Sequence, residues 1–414
     1  MRPLPLFVRL ALDSLAIPFR GAHAPAVHAP TWDEPRQRRC ARRNLSILLL
    51  LACLVTPAFA AKAVTLNQLE ELLRYAHDKP DAKVTEQLFD LELTERVSSA
   101  RLARWETELP GAKSRRALVA LADSSAFLPL PQEEIPVTPA PDRAAQDSLR
   151  TLTRNYVTDT IPKLPNFFAT RHTTLFSDEP ERLNTLTLVG SRSQYQQFRL
   201  VGISSDKVYF RGGKEVVVGT TNKQVSSPGK ALTTQGVFGE VMELVLSDIL
   251  RSDLVWSHWE GGVDAPLAVF RYAVPLGRSH YAVAGANAHG LGQHVAYHGE
   301  IVIDPANGTI LRLIAVADFN GSSPLLKGNV MVEYGPVEIG GTSYICPVKS
   351  VSLIVARTFN TTPNYQNRFG PASIQPGPLL TKVNDVQFTE YHRFRAEARI
   401  LPGYDAEPRS TPNP

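Results

Sequence analysis

Apolar positions recur with two different periods in two parts of the chain. Between residues 64 and 127 they fall at helical spacing. Leu66, Leu69, Leu72, Leu73 and Ala76 share one face of a 3.6-residue repeat; Thr65 and Gln68 stand before them at capping-box spacing, and Lys79-Pro80-Asp81 breaks the run. A short piece follows around Val84–Leu91. Thr94 is placed to cap a second strong helix, with Val97, Leu102, Trp105 and Leu109 inward and Pro110-Gly111 as the stop. Ser114 opens a third, with Leu118, Leu121 and Ala122 inside. These faces predict a small helical bundle over 61–127 that packs on itself; serving as an interaction module is the alternative use. Residues 128–142 then carry Pro129, Pro131, Pro136, Pro139 and Pro141, an extended linker and a domain boundary.

A helix from about Arg143 to Thr160 leads into a region of period two that runs to residue 400. Its predicted strands begin with Leu183–Val189, Gln196–Ser204, Lys207–Arg211 and Lys214–Gly219. They continue with Leu267–Pro275, His280–Ala284, Val295–Asp304, Ile310–Asp318, Asn329–Ile339, Thr342–Ala356 and Lys382–Ile400. Ser205-Asp206, Gly212-Gly213, Gly340-Gly341 and Asp304 through Gly308 supply turn chemistry between them. One further helix fits Phe238–Arg251. Without repeated helical crossovers the sheet is expected to be antiparallel. The fold class is therefore α+β: a small N-terminal helical bundle, then a large curved antiparallel sheet over 143–401, a half-open barrel with covering helices. Residues 357–381 are expected to be a long loop, and 402–414 a polar, Pro-rich, disordered tail.

Charge changes the picture at the N-terminus. The 414 residues hold 44 Lys+Arg against 40 Asp+Glu. Residues 1–60 contain eight Arg, no Lys and three acids, so residues 61–414 carry 36 basic and 37 acidic groups, a net of −1. The basic cluster Arg36, Arg38, Arg39, Arg42 and Arg43 precedes an apolar run from Leu45 to Val55, then Thr56-Pro57 and Ala58-Phe59-Ala60. That order is the pattern of a secretory signal peptide, with an over-extended start before it. The run is too short for a membrane span, which takes about 20 residues, so no transmembrane span is expected in the mature protein. Leu50-Leu51-Ala52-Cys53 also resembles a lipoprotein box, a minor alternative in which Cys53 is the anchor; the apolar Leu54-Val55 after it is unlike the usual polar tether. The mature chain is expected to be periplasmic or extracellular. It keeps one cysteine, Cys346, which sits in an alternating stretch and reads as a buried inert thiol.

Candidate chemistry is sparse. No G-x-S-x-G, H-E-x-x-H, C-x-x-C, Walker loop or G-x-G-x-x-G occurs. No cofactor is implied, no catalytic residue is named, and no motif specifies an oligomeric state. His280, His289, His294 and His298 crowd into 19 residues and are the candidate metal ligands. His294 and His298 share a strand face about 13 Å apart at ~3.3 Å per residue, too far to bind one ion unless the strand bends. Trp256, His258, Trp259 and Glu260 form a dense segment, with Trp256 and His258 alternating against Ser257 and Trp259. Trp256, Trp259, Phe270 and Tyr272 are the candidate ligand-stacking residues. The basic groups of Glu390 through Glu397 are balanced by acids, and with the near-neutral mature charge this argues against nucleic acid.

Several stretches resemble a group of uncharacterised exported bacterial proteins. They are Leu164-Pro165-Asn166-Phe167 with Thr170-Arg171, Tyr297 through Pro305 with Gly308, Val332 through Val337 with Ile339-Gly340-Gly341, and the strand Phe388–Ile400. The sheet pattern over about 145–400 is also similar to the half-open β-barrel of LolA-type periplasmic lipoprotein carriers. That resemblance implies a non-catalytic carrier with an apolar groove for a lipid, a lipoprotein or another hydrophobic ligand. An envelope scaffold or sensor that binds a protein through the helical bundle is the first alternative, and a metal-dependent exported hydrolase the second. Sequencing the exported protein's N-terminus is expected to read Ala61 or Lys62 first; an intact Met1 rules out export by this signal.

Overall fold

The capping box at Thr65 forms as its spacing predicts. Thr65 Oγ1 accepts from the Gln68 amide at 3.3 Å and Gln68 Oε1 accepts from the Thr65 amide at 3.0 Å. Helix α1 (Leu66–Arg74) starts there. The computed structural model describes residues 61–178, 198–211, 214–217, 246–262, 265–284, 292–321, 323–362 and 373–394. The expected signal peptide, the strand at Leu183–Val189, most of the Phe238–Arg251 helix, His289 and the C-terminal tail lie outside them.

Helices α2 (Asp81–Phe89), α3 (Ser99–Glu108) and α4 (Ala112–Ser124) complete the helical module, with Leu66, Leu69, Trp105, Ala117 and Leu118 fully buried between them. Two of the expected helix starts shift, each for a visible reason. Thr94 is not a cap: its amide bonds to the Val64 carbonyl at 3.1 Å and extends the parallel pairing of β1 (Lys62–Val64) with β2 (Leu91–Leu93). Ser98 takes the N-cap position of α3 instead. Helix α4 begins before Ser114, because Asp81 at the start of α2 caps it from outside. The Asp81 carboxylate accepts from the Lys113 and Ser114 amides at 3.2 and 2.9 Å.

The Pro-rich segment is strapped down along its length. Pro129 accepts from the Arg96 amide, Glu134 pairs with Arg101 at 2.8 Å, and the Pro139 carbonyl accepts from Trp259 Nε1 at 2.9 Å. The described residues fall in one compact unit. Helix α5 (Arg143–Asn155) follows and ends in a π-helical turn, Tyr156–Thr160.

The sheet has ten strands among the described residues. They are β3 (Phe167–Ser177), β4 (Arg199–Arg211), β5 (Lys214–Val217), β6 (Val255–Glu260), β7 (Leu267–Val274), β10 (Ala296–Ile303), β11 (Ile310–Asp318), β12 (Leu325–Ile339), β13 (Thr342–Thr362) and β14 (Ser373–Arg393). A separate hairpin, β8 (Ala282–Ala284) with β9 (Gly292–His294), lies between β7 and β10 in the chain. The order is β5-β4-β3-β14-β13-β12-β11-β10-β7-β6; every neighbouring pair is antiparallel, and the sheet does not close into a barrel. Two expectations change. Ser205-Asp206 is no turn: Asp206 pairs with Arg171 across β3, side chains included at 3.4 Å, so β4 runs straight through. Of the loop expected over 357–381, the described residues 357–362 and 373–381 are strand, since β13 and β14 stay paired out to Thr362 and Ser373. Pro376 and Pro378 are tolerated there because β14 pairs with β3 only from Lys382 onward, which leaves one edge without a described partner strand.

Both faces of the sheet carry buried apolar packing, while much of β4 is exposed. Leu149 of α5 and Leu246 and Ile249 of the helical residues 246–250 pack with Phe167, Phe270 and Tyr297 on one face. Ala120 of α4 and the nearby Ala126 pack with Phe176, Met331, Val351 and Val383 on the other. Gly299 sits in the middle of β10, where an added Cβ would lie 1.8 Å from the Ile314 carbonyl oxygen and 2.9 Å from the Tyr272 hydroxyl. Those groups hydrogen-bond each other at 2.6 Å, so neither is free to yield. Gly299→Ala is expected to destabilise the fold by about 1–3 kcal/mol, read as a lower urea midpoint at unchanged slope.

Candidate functional site

The aromatic residues singled out from sequence come together, as packing. Phe270 is fully buried and Tyr272 nearly so. A register shift between Trp256 and His258 breaks the simple alternation in β6. It pairs Trp256 with Phe270 and Trp259 with Ala268, so the two indoles meet edge-on at 4.9 Å instead of lying on opposite faces. Trp256 also meets Phe270 edge-on at 5.5 Å, and Arg150 of α5 lies over the Phe270 ring. His258 is turned away, half-buried against Ser257 at 2.8 Å, and burial lowers its pKa, so it is held neutral.

The histidines separate. His280 Nδ1 bonds the fully buried carboxylate of Asp248 at 2.6 Å, and Asp248 also accepts from the His280 amide and from the Tyr297 hydroxyl. His298 pairs with Asp318 at 2.8 Å, and His294 is exposed at the end of β9. Among the described residues no three His, Cys, Asp or Glu side chains converge as a metal ion requires.

On the α5 face, Tyr156, Phe167, Phe210, Tyr334 and Cys346 border an apolar cavity of about 20 Å³, which is room for one water. Burial pushes the Cys346 thiol up to about 12, which keeps it protonated.

The larger opening lies on the opposite face, between the helical module and the sheet. It measures about 180 Å³ and is bordered by charged side chains from both sides. At one end Glu260 is held between two guanidinium groups. Arg96 Nη2 donates to Oε2 at 3.0 Å, and Arg312 donates to both oxygens, Nη1 to Oε1 at 2.8 Å and Nη2 to Oε2. Burial alone would raise the Glu260 pKa; hydrogen bonds and charge from Arg312, then Arg96, outweigh it and hold the carboxyl at about 2. At the other end Lys349 donates to Asp123 of α4 at 2.7 Å and lies 3.8 Å from Asp385. Burial raises Asp123 to about 7 against the pull of Lys349, and raises Asp385 as well. Four buried polar atoms at these two ends have no hydrogen-bond partner: Arg96 Nη1, Arg312 Nε, Asp123 Oδ2 and Asp385 Oδ1.

Of these residues only Glu260 stands out in the sequence, as part of the aromatic segment. Three others left one trace, a charge inside an apolar run: Asp123 after Leu121-Ala122, Arg312 in Ile310 through Ile314, Lys349 between Val348 and Val351; Arg96, beside Glu95, left none. No family model, curated protein or solved structure matches the chain.

The two ends of this cleft predict opposite pH effects. Glu260 is depressed on folding, so its contribution, about 3 kcal/mol, is present above pH ~4.5 and lost as pH falls towards 2. Asp123 is raised, so its contribution is present below pH ~4 and lost as pH rises through about 7. Urea midpoints across this range are expected to show Glu260→Gln weakened at neutral pH and converging on wild type near pH 2. Asp123→Asn is expected to flatten the slope between pH 4 and 7.

Proposed function

We propose that the chain is an exported ligand-binding protein whose receiving site is the charged cleft between the helical module and the sheet. The observation that carries this reading is the unpartnered atoms, Arg96 Nη1 and Arg312 Nε at one end and Asp123 Oδ2 at the other, on residues that border one open space of about 180 Å³. A buried polar atom without a partner costs about 1–3 kcal/mol. These atoms expose almost no surface of their own, so a small polar molecule in the space recovers that cost as affinity when the side chains turn towards it.

A second reading keeps the expected apolar carrier. It is favoured by the open antiparallel sheet and by the apolar cavity beside Cys346, where α5 gives way to a π-helical turn. π-Helical turns recur at functional sites. The cavity is far below the roughly 300–1,000 Å³ of ligand pockets, so this use requires α5 to lift from the sheet.

The two readings separate in one experiment. The purified exported chain is mixed with a low-molecular-weight aqueous extract and, separately, with a lipid extract in detergent. The aqueous extract is expected to raise the melting temperature by a few degrees, and Ala103→Trp at the exposed rim of the cleft to abolish the shift. Lipid adducts in native mass spectra with no aqueous effect would overturn the cleft reading in favour of the carrier.

A further inference from the structure

The floor of the cleft is a row of alternating charge. Arg312, Glu333 and Lys349 face one another in register on β11, β12 and β13. Strands lie about 4.8 Å apart, which sets Arg312 and Lys349 at roughly 10 Å. The helical module adds the opposite sign only at the Lys349 end; at the Arg312 end it adds a second cation that shares the same counter-ion. Arg96 shares Glu260 with Arg312, and Asp123 meets Lys349.

What remains unsatisfied differs between the ends. At the Arg312 end the spare groups are donors, Arg96 Nη1 and Arg312 Nε. Arg96 is only 5% exposed yet borders the open space. The amino end of α3 borders it too, through Ser98 and Ser99, and the Ser98 side chain makes no capping bond. At the Lys349 end the spare groups are acceptors, Asp123 Oδ2 and Asp385 Oδ1, of which Asp123, 2% exposed, borders the space. Leu102, Ala126 and Met331 supply an apolar wall.

A simple anion in this space would meet Glu106, Glu260 and Glu333 as well as the arginines. A simple cation would meet Arg96, Arg312 and Lys349. A molecule carrying both charges, held apart, satisfies the donors at one end and the acceptor at the other without net charge. Resting on the cleft reading above, we propose that the ligand is a small zwitterion of dipeptide size. Its carboxylate meets Arg96, Arg312 and the start of α3, and its ammonium meets Asp123. Two extended residues span at most about 7 Å, which suits ends set roughly 10 Å apart at the backbone with side chains reaching inward.

Calorimetric titration of the full exported chain with Ala-Ala and Gly-Gly tests this, with acetyl-Ala-Ala and Ala-Ala-amide as the singly charged probes. Saturable binding of the free dipeptides is expected, weakened roughly tenfold or more by blocking either end. Asp123→Asn should weaken Ala-Ala and leave acetyl-Ala-Ala unchanged; Arg96→Lys should weaken Ala-Ala and leave Ala-Ala-amide unchanged. If either variant fails to fold, hydrogen exchange on the wild-type chain replaces it, and Ala-Ala should protect amides at 98–101 and 121–126. A blocked dipeptide that binds as tightly as the free one overturns the zwitterion and leaves the cleft as a site for a ligand of one sign. The zwitterion is overturned equally if the aqueous extract stabilises the chain but no free dipeptide binds. If neither extract nor dipeptide acts, the cleft reading falls as well.

Discussion

The carboxylate of Glu260 joins three parts of the chain that lie far apart in sequence. Arg96 follows the small parallel pair of the helical module, Arg312 is in the middle of the sheet, and Glu260 ends the edge strand β6. Removing three charges from water is costly, and only mutual pairing with most hydrogen bonds satisfied offsets it. Here Glu260 uses both oxygens, and its carboxyl stays ionised down to about pH 2 despite burial. The module is thereby fixed in register over the sheet, with α4 brought down on Met331, Val351 and Val383 and Asp123 brought to Lys349. Two ionic ties at a distance, with the apolar contact to one side, leave a polar space between them that apolar packing would otherwise have closed.

Much of the architecture was legible because it rests on local periods. The box at Thr65, the 3.6-residue spacing of Leu66, Leu69 and Leu73, and the alternation along β10 to β13 are each written in adjacent residues. Where local spacing misleads, a distant partner decides. Thr94 pairs with Val64, Asp81 caps α4 from another helix, and Asp206 finds Arg171 across the sheet. The prolines of β14 suggested a loop, and only the neighbouring strand order makes them acceptable at an unshared edge. The bulge in β6 is of the same kind: one extra residue turns the expected alternation of Trp256 and His258 into an edge-on pair of indoles.

The cleft was illegible for a stronger form of the same reason. Arg96 and Glu260 are 164 positions apart, and no spacing rule connects them. A single charge inside an apolar strand predicts either an exposed face or a buried partner, and the sequence offers no means of choosing between them. Strands buried on both faces remove the usual guide, since the polar side of the alternation no longer marks solvent. Arg312 and Lys349 follow that alternation faithfully and still end up largely covered, at 13% and 19% side-chain exposure.

The expected ligand-stacking residues lie on the face opposite the cleft. The aromatic-rich face, Phe167, Phe270, Tyr272 and Tyr297 among its residues, spends those rings on its own packing. Tyr272 is bonded to Ile314 and Tyr297 to Asp248, so even the hydroxyls are committed. A face whose polar handles are already used has little left with which to orient a ligand. The opposite face retains unsatisfied donors and acceptors on rigid elements, because pairing at each ionic end is tight but incomplete. Specific recognition needs polar groups that are fixed in place and still wanting partners, and that condition is met beneath the helical module, around the tie that holds it to the sheet.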